Sequence, residues 1–229
     1  MEGSQIGGYQ LLADLGKVCS AYHDANVRNV PSKRVQCDKI WSFVGAKMKN
    51  VPEEKAEEWG DVWTWTAIDA DSKLIVSYLV GQRGAQWANA FMEDVASRVT
   101  SRIQITTDGH RAYADAVEGA FGMDVDYAML IKVYGNDSFD RRYSTGGYTG
   151  TQTAVIAGSP DPKHISTSFV ERQNLTMRKK IENHEAAIAL HFMHYNLCRV
   201  HKTLRVTPAM EAGLSNHVWT VQELVGLFP

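Results

Sequence analysis

Two short runs constrain this chain more than any other feature. "VWTWTAI" (Val62–Ile68) and "LIVSYLV" (Leu74–Val80) are dense in β-branched and aromatic residues. The five residues between them, "DADSK" (Asp69–Lys73), have the composition of a turn. The three segments together read as an antiparallel hairpin. An isolated two-stranded ribbon is marginal in water, so more sheet or a covering helix must bury its apolar face. The neighbouring segments supply both.

Upstream, "RVQCDKIWSFV" (Arg34–Val44) reads as a strand, and the polar, acidic "KNVPEEKAEEWG" links it to the hairpin. That short connection makes the first three strands antiparallel. Before it, Tyr9–Val27 carries apolar residues at Leu11, Leu12, Leu15, Val18, Cys19 and Tyr22, which is helical spacing, and Pro31 closes the segment. Downstream the pattern alternates. "AQWANAFMEDVASRV" (Ala85–Val99) is an amphipathic helix, "RIQITTD" a fourth strand, "HRAYADAVEGAFG" a second helix of this kind and "VDYAMLIKVY" (Val125–Tyr134) a fifth strand. Strands alternating with helices imply parallel crossovers. The expected fold is therefore α/β: a mixed five-stranded sheet, antiparallel in its first three strands and parallel thereafter, flanked by helices.

From Gly135 to Pro162 the chain is dominated by Gly, Ser, Thr, Asp and Pro, and reads as one long loop, flexible over about 135–165. Helical pattern resumes at Ser168 and continues, with a break, to about Val200. "VTPAMEAGL" has Thr207 as N-cap, Pro208 at the first helical position and Gly213 as a stop. "TVQELVGLF" spaces Thr220 and Glu223 as a capping box.

Three acids stand out against this frame. Asp38 sits mid-strand between Cys37 and Trp41; a half-exposed strand would let it simply face water. Asp108 ends the fourth strand, where it can cap the next helix, and Gly109 after it allows close approach of backbone or ligand. Glu171 lies at S-x-x-E spacing from Ser168, the spacing of a capping box. Taken together, the first and fourth strands should be neighbours at the sheet centre, with the returning helix beside them, so all three can converge. Crowded carboxylates stay ionised only around positive charge. Hard divalent cations are the natural occupants, and a pair of them about 4 Å apart can clamp the attacking and leaving oxygens of a phosphoryl transfer. Asp69 and Asp71 compete for the first role, but a hairpin tip is where Asp serves as a turn residue.

With these residues in view, the chain resembles the DDE transposases with an integrase-type, ribonuclease-H-like core, and most closely the insertion-sequence-one family. The resemblance spans roughly residues 9–228. It rests on "CDKIWSFVGAK", "VWTWTAIDADSKLIVSYLVG", "ITTDGHRAY", "DPKHISTSFVERQN" and "HYNLCRVHKTLRVTPAMEAGL", in that order. It implies that Asp38, Asp108 and Glu171 form the catalytic, metal-binding triad. It further implies two Mg²⁺ or Mn²⁺ ions, cleavage at the terminal inverted repeats of a transposon, and strand transfer into target DNA by the freed 3′-hydroxyl, in a homodimer or higher oligomer on DNA. Residues 1–30 would be the remnant of an N-terminal DNA-binding region and 31–229 the catalytic core. Three departures accompany the resemblance. Most of the N-terminal DNA-binding region is not represented, the family's usual Asp-Glu at the first acid is Asp38-Lys39, and "MRKKIENHE" joins directly where relatives carry a further basic segment. An alternative follows: a catalytically impaired relic that acts as a DNA-binding or regulatory protein.

Charge and composition bear on partners. Hydrophobic residues at 44% and charged residues at 22% suit a soluble globular domain, and no run approaches the roughly 20 apolar residues of a membrane span. The start, "MEGSQIGGYQ", has no secretory pattern, and Cys19, Cys37 and Cys198 form no C-x-x-C pair, so a reducing cytoplasm is expected; the resemblance implies a bacterial one and association with the nucleoid. A net charge of −2 does not advertise nucleic-acid binding. The basic residues do gather late, and Arg172, Arg178, Lys179, Lys180, Lys202 and Arg205 are the candidate DNA contacts. His191 and His194 are three apart but have no acid or Cys at ligand spacing beside them. No nucleophile elbow is present, and Trp63 and Trp65 alternate as core residues should.

Overall fold

The computed structural model describes residues 8–134, 148–175 and 184–228. Its centre is a sheet built from β1 (Arg34–Val44), β2 (Gly60–Asp69), β3 (Ile75–Gly81), β4 (Ile103–Asp108), β5 (Val125–Tyr134) and β6 (Tyr148–Ala157), in the order β3-β2-β1-β4-β5-β6. The first three strands pair antiparallel, β1–β4 and β4–β5 pair parallel, and β6 returns antiparallel on β5. This is the expected mixed α/β sheet flanked by helices, with one strand more than expected.

The sixth strand corrects the loop reading of Gly135–Pro162; residues 135–147 of that stretch lie outside the described residues. "YTGTQTAVIA" is rich in Thr and Val and suits a strand. It escaped the hydrophobic pattern because it is the sheet's outer strand, where side chains need not be buried: Val155 is 59% and Ile156 45% exposed.

Helices cover both faces, as parallel strands require. Two, α1 (Gly8–Asn26) and α2 (Ala85–Arg98), precede β4 in the chain, and α3 (Ala112–Phe121) follows it. On one face α2 and α3 pack Phe91, Met92, Val95, Tyr113 and Val117 against Val35, Cys37, Trp65, Ile105 and Tyr127. Trp65 is fully buried, as its alternation on the strand requires. The other face is covered by α4 (Ser168–Leu175) and α5 (His184–Met193), where Val170, Ile188 and Phe192 meet Ile40, Ile68 and Ile75.

A turn of π-helix, His194–Cys198, continues α5. It presents the buried Asn196 to the edge of β3: Asn196 Oδ1 accepts the Ile75 N–H at 2.9 Å and Nδ2 donates to the Ile75 carbonyl at 3.0 Å. The side-chain amide thus serves as a one-residue strand. Two short helices close the chain, α6 (Pro208–Glu211) and α7 (Val221–Val225). Both caps read from sequence are formed, Thr207 on α6 and the reciprocal Thr220–Glu223 box on α7. Among the described residues no helix is long and apolar enough to cross a membrane.

The N-terminal helix is fastened to this body at several points. Cys19 and Val27 are buried with Leu74, Ala189 and Met193. The buried Arg98 guanidinium donates to Asp24 at 2.5 Å, to Asp94 at 2.7 Å and to the Val27 carbonyl at 3.1 Å, tying α1 to α2. Gly16 lies so close to α5 that a Cβ there would stand 2.4 Å from the Ala186 Cα. Gly16→Val is expected to force the two helices apart and cost about 1–3 kcal/mol, the range for overpacked contacts. A chemical denaturation midpoint unchanged in that variant would show that α1 does not pack this way in solution.

Candidate active site

The site is built from the register of the two central strands. Parallel pairing of β1 with β4 sets Cys37 opposite Thr107. Asp38 and Asp108 come next on their strands; Asp38 turns to the face covered by α4, and Asp108 stands at the end of β4, near enough for its charge to act on Asp38. Sequence reasoning expected this juxtaposition.

Asp38 is half-buried. Asn174 of α4 donates from Nδ2 to its Oδ2 at 3.0 Å. Burial, and then the neighbouring charge of Asp108, push its pKa up to about 6. Asp108 is held from two sides: Lys39 Nζ donates to Oδ2 at 2.7 Å and the His110 N–H to Oδ1 at 3.2 Å. Capping α3 is not its role, because that helix begins at Ala112 behind Arg111, which makes no side-chain cap. The glycine that follows has a physical reason, since a Cβ at Gly109 would approach Ile131 of β5 to 3.1 Å.

Lys39 is the component that sequence reasoning missed as a site residue. Its side chain is only 3% exposed. The ammonium lies 5.7 Å from the Trp65 ring centroid and 5.3 Å from that of Tyr113, so two aromatic faces and one carboxylate hold it. Burial lowers its pKa, against the opposing pull of Asp108. The signal was present as the departure from Asp-Glu at positions 38–39, but a strand places consecutive residues on opposite faces. Only the end of β4 lets Lys39 reach Asp108.

Glu171 lies in the first turn of α4, one turn before Asn174. Its Oε1 accepts the Thr167 hydroxyl at 2.6 Å and pairs with Lys132 of β5 at 3.0 Å. The S-x-x-E capping box with Ser168 is not what starts this helix. Gln36 does so, its Oε1 accepting the N–H groups of Phe169 at 2.9 Å and Val170 at 3.4 Å. Gln36 is two residues before Asp38 on the same face of β1, so the strand that carries the first acid also positions the helix that carries Glu171. The structure therefore brings Asp38 and Asp108 together, while Glu171 turns to Lys132. Among the described residues no three His, Cys, Asp or Glu side chains stand at metal-ligand spacing.

Of the basic candidates, Arg172, Lys202 and Arg205 are exposed; Arg178, Lys179 and Lys180 lie outside the described residues. The His191 ring contacts the Gln173 amide at 2.9 Å. At the hairpin tip, Asp69 accepts the Asp71 N–H and the Ser72 hydroxyl, the work of a turn residue.

No family model and no curated protein matches this sequence. Among solved structures, the chain aligns over 100% of its length with the piggyBac transposase synaptic complex with hairpin DNA, at 10% identity and a TM-score of 0.40. It aligns over 84% of its length with the Mos1 strand transfer complex, at 9% identity and a TM-score of 0.31. It spans 59% and 61% of those two chains. What the site can do follows from its own geometry.

The raised Asp38 pKa has a consequence for stability. Between the ordinary carboxylate value of 3.8 and about 6, the folded protein holds a proton that the unfolded chain has lost. Stability contributed by this group is therefore present at low pH and is lost as pH rises through that window, by at most about 3 kcal/mol. Asp38→Asn removes the titration and keeps an acceptor for Asn174. In chelator-treated protein the variant should melt higher than wild type at pH 8 and lose most of that advantage at pH 4. Parallel melting curves for the two proteins across this range would contradict the assignment.

Proposed function

We propose that this chain is a DDE-type polynucleotidyl transferase of the insertion-sequence-one kind, which cleaves DNA at transposon ends and joins them to a target. The observation that carries the proposal is the proximity of Asp38 and Asp108, each one residue past the last registered pair of the two central strands, with Glu171 on α4, the helix whose Asn174 binds Asp38. Two aspartates on adjacent strands are a costly way to build a core. A function that uses their charge explains why one carboxyl is pushed up to about 6 and the other needs a buried lysine.

The donor set fits hard divalent cations. Every candidate ligand is an oxygen, and Asn174 Oδ1, beside Asp38, is buried with no hydrogen-bond partner among the described residues. Asp38 and Asp108 would hold Mg²⁺ or Mn²⁺, with Glu171 sharing a second ion after releasing Lys132. The ions would supply charge neutralisation at the attacking and leaving oxygens of a phosphodiester. The chain's own residues do the rest. Asn174 orients Asp38, the His110 N–H orients Asp108, and Gln36 fixes the start of the helix bearing Glu171. Arg172, Lys202 and Arg205, exposed on the surface, would meet DNA phosphates, together with Arg178, Lys179 and Lys180.

One observation favours a second reading, an impaired relic that binds DNA without cutting it. Lys39 already occupies Asp108 with a cation that cannot leave for solvent.

A cleavage assay on terminal-repeat duplex with Mg²⁺ or Mn²⁺ separates the two. The transferase reading expects metal-dependent nicking that disappears in Asp38→Asn, Asp108→Asn and Glu171→Gln. The last substitution should cost 1 kcal/mol of stability or less, because the Lys132 pair is solvent-exposed. DNA retained without cleavage at any metal concentration would favour the relic. In that case Lys39→Met should tighten Mn²⁺ binding measured by calorimetry. Unchanged affinity in Lys39→Met would clear Lys39 of blame.

A further inference from the structure

Four residues before Asp38, on the same face of β1, Arg34 opens a cleft of about 420 Å³ between the β2–β3 hairpin tip and the segment leading into α4. Its walls carry Arg34, Lys73 and Lys163, with the imidazole of His164 and the hydroxyl of Ser166; Asp71 is the carboxylate among its lining residues. Asp71 is committed to Arg34 through an ion pair. A second acid nearby, Asp161, accepts the Lys163 N–H and lies 3.7 Å from the His164 imidazole. Lys163 Nζ, which is exposed, has no carboxylate within ion-pair distance among the described residues.

Lys73 is the unusual member. It sits in the left-handed region, with φ 63°, where hairpin turns ordinarily place Gly, Asn or Asp. The residue is only 8% exposed. Its ammonium lies 3.2 Å from the Phe169 ring centroid and donates to the Ala70 carbonyl. No carboxylate among the described residues is within ion-pair distance of it. Asp71 and Asp69 act on it only from beyond that distance, and burial outweighs them; a lysine has three donors, so this one is a partly desolvated cation with donors to spare. Backbone strain combined with an under-partnered buried charge points to a ligand, and the ligand must be an anion. The positive surface continues beyond it. Burial, and then the charges of Lys73, Arg199 and Arg172, hold the His201 imidazole below its ordinary pKa.

We propose that this cleft binds the phosphodiester backbone of a DNA strand, with Lys73 and Lys163 as phosphate ligands, upstream of the acids on the same face of the sheet. Spacing supports a backbone over an isolated phosphate. Four residues of strand separate Arg34 from Asp38, about 13 Å at roughly 3.3 Å per residue. Measured along a duplex axis, that is about four base-pair steps at 3.4 Å of rise each. A strand lying in the cleft would thus deliver a phosphodiester a few nucleotides along to Asp38 and Asp108. This inference rests on the polynucleotidyl-transferase reading for its direction, but not for its measurement.

The test is the salt dependence of binding to a 20-base-pair duplex, measured without metal so that cleavage plays no part. Lys73→Asn removes the charge and keeps a residue that tolerates positive φ; Lys163→Gln alters an exposed side chain and keeps a fold-neutral control in hand. Each lost phosphate contact should flatten the slope of log affinity against log salt by about 0.9, and the double variant by about 1.8. A slope unchanged in Lys163→Gln and in the double variant overturns the proposal, even if wild-type protein cleaves DNA. Flattened slopes in a protein that never cleaves support the cleft and count against the transferase alone. Inorganic phosphate provides the other arm. If millimolar phosphate raises the wild-type melting temperature, and does so less in the double variant, while the duplex slopes stay equal, the cleft is a free-phosphate site and the backbone proposal fails. Wild-type protein that binds no duplex at low salt overturns both readings.

Discussion

The parallel pairing of β1 with β4 is the constraint on which the rest of this molecule depends. A parallel pair cannot be closed by a hairpin. It needs a crossover, and it must be covered on both faces. Here α2 lies in the connection that brings the chain back to β4, and α4 and α5 cover the opposite face. The same register sets Asp38 beside Asp108, on strands about 4.8 Å apart. Every polar feature around them answers that juxtaposition: the Asn174 amide, the His110 N–H, the Lys39 ammonium and a carboxyl whose proton is held up to about pH 6.

Much of this could be read from residues alone, for a definite reason. The strands β1 to β5 carry strong apolar or β-branched patterns because both faces of the central sheet are buried. The capped helices α6 and α7 announce themselves through Thr207, Pro208, Thr220 and Glu223. What escaped was governed by contacts that lack a local pattern. Strand β6 is exposed, so burial leaves no alternation in it. The start of α4 is set by Gln36, which is 133 residues away from Phe169 in sequence. The nearer Ser168–Glu171 spacing suggested a cap that does not form. Lys39 stood in plain view, but strand alternation assigns it to the face opposite Asp38, and only the end of β4 allows it to reach Asp108.

Charge is unevenly spread over this face, and the net value of −2 conceals that. Asp38 and Asp108 stand at the middle of the sheet. The cations Arg34, Lys73 and Lys163 line a cleft at the start of β1, joined by Arg172 and Arg199 farther along. A polyanion approaching this face would meet the basic cleft before the acids. Steering of that kind acts on association rates and fades with salt.

Within the acid cluster, three carboxylates (Asp38, Asp108 and Glu171) face two ammonium groups (Lys39 and Lys132), which leaves a formal −1. Two divalent ions would bring +4 to that site and one would bring +2, so the second ion is accommodated only if a lysine withdraws. The two lysines differ in their freedom to do so. The Lys132 side chain is 42% exposed and borders water. Lys39, at 3% exposure between Trp65 and Tyr113, has no such exit. A glutamate in its place would be a buried carboxylate beside Asp108, repelled by it and dependent on bound metal. A lysine there neutralises Asp108 from within the fold and would compete with any ion for that carboxylate. Under the proposed metal-dependent reading, the identity of residue 39 would set a trade between stability of the metal-free fold and affinity for an ion, and Lys39 would favour the fold.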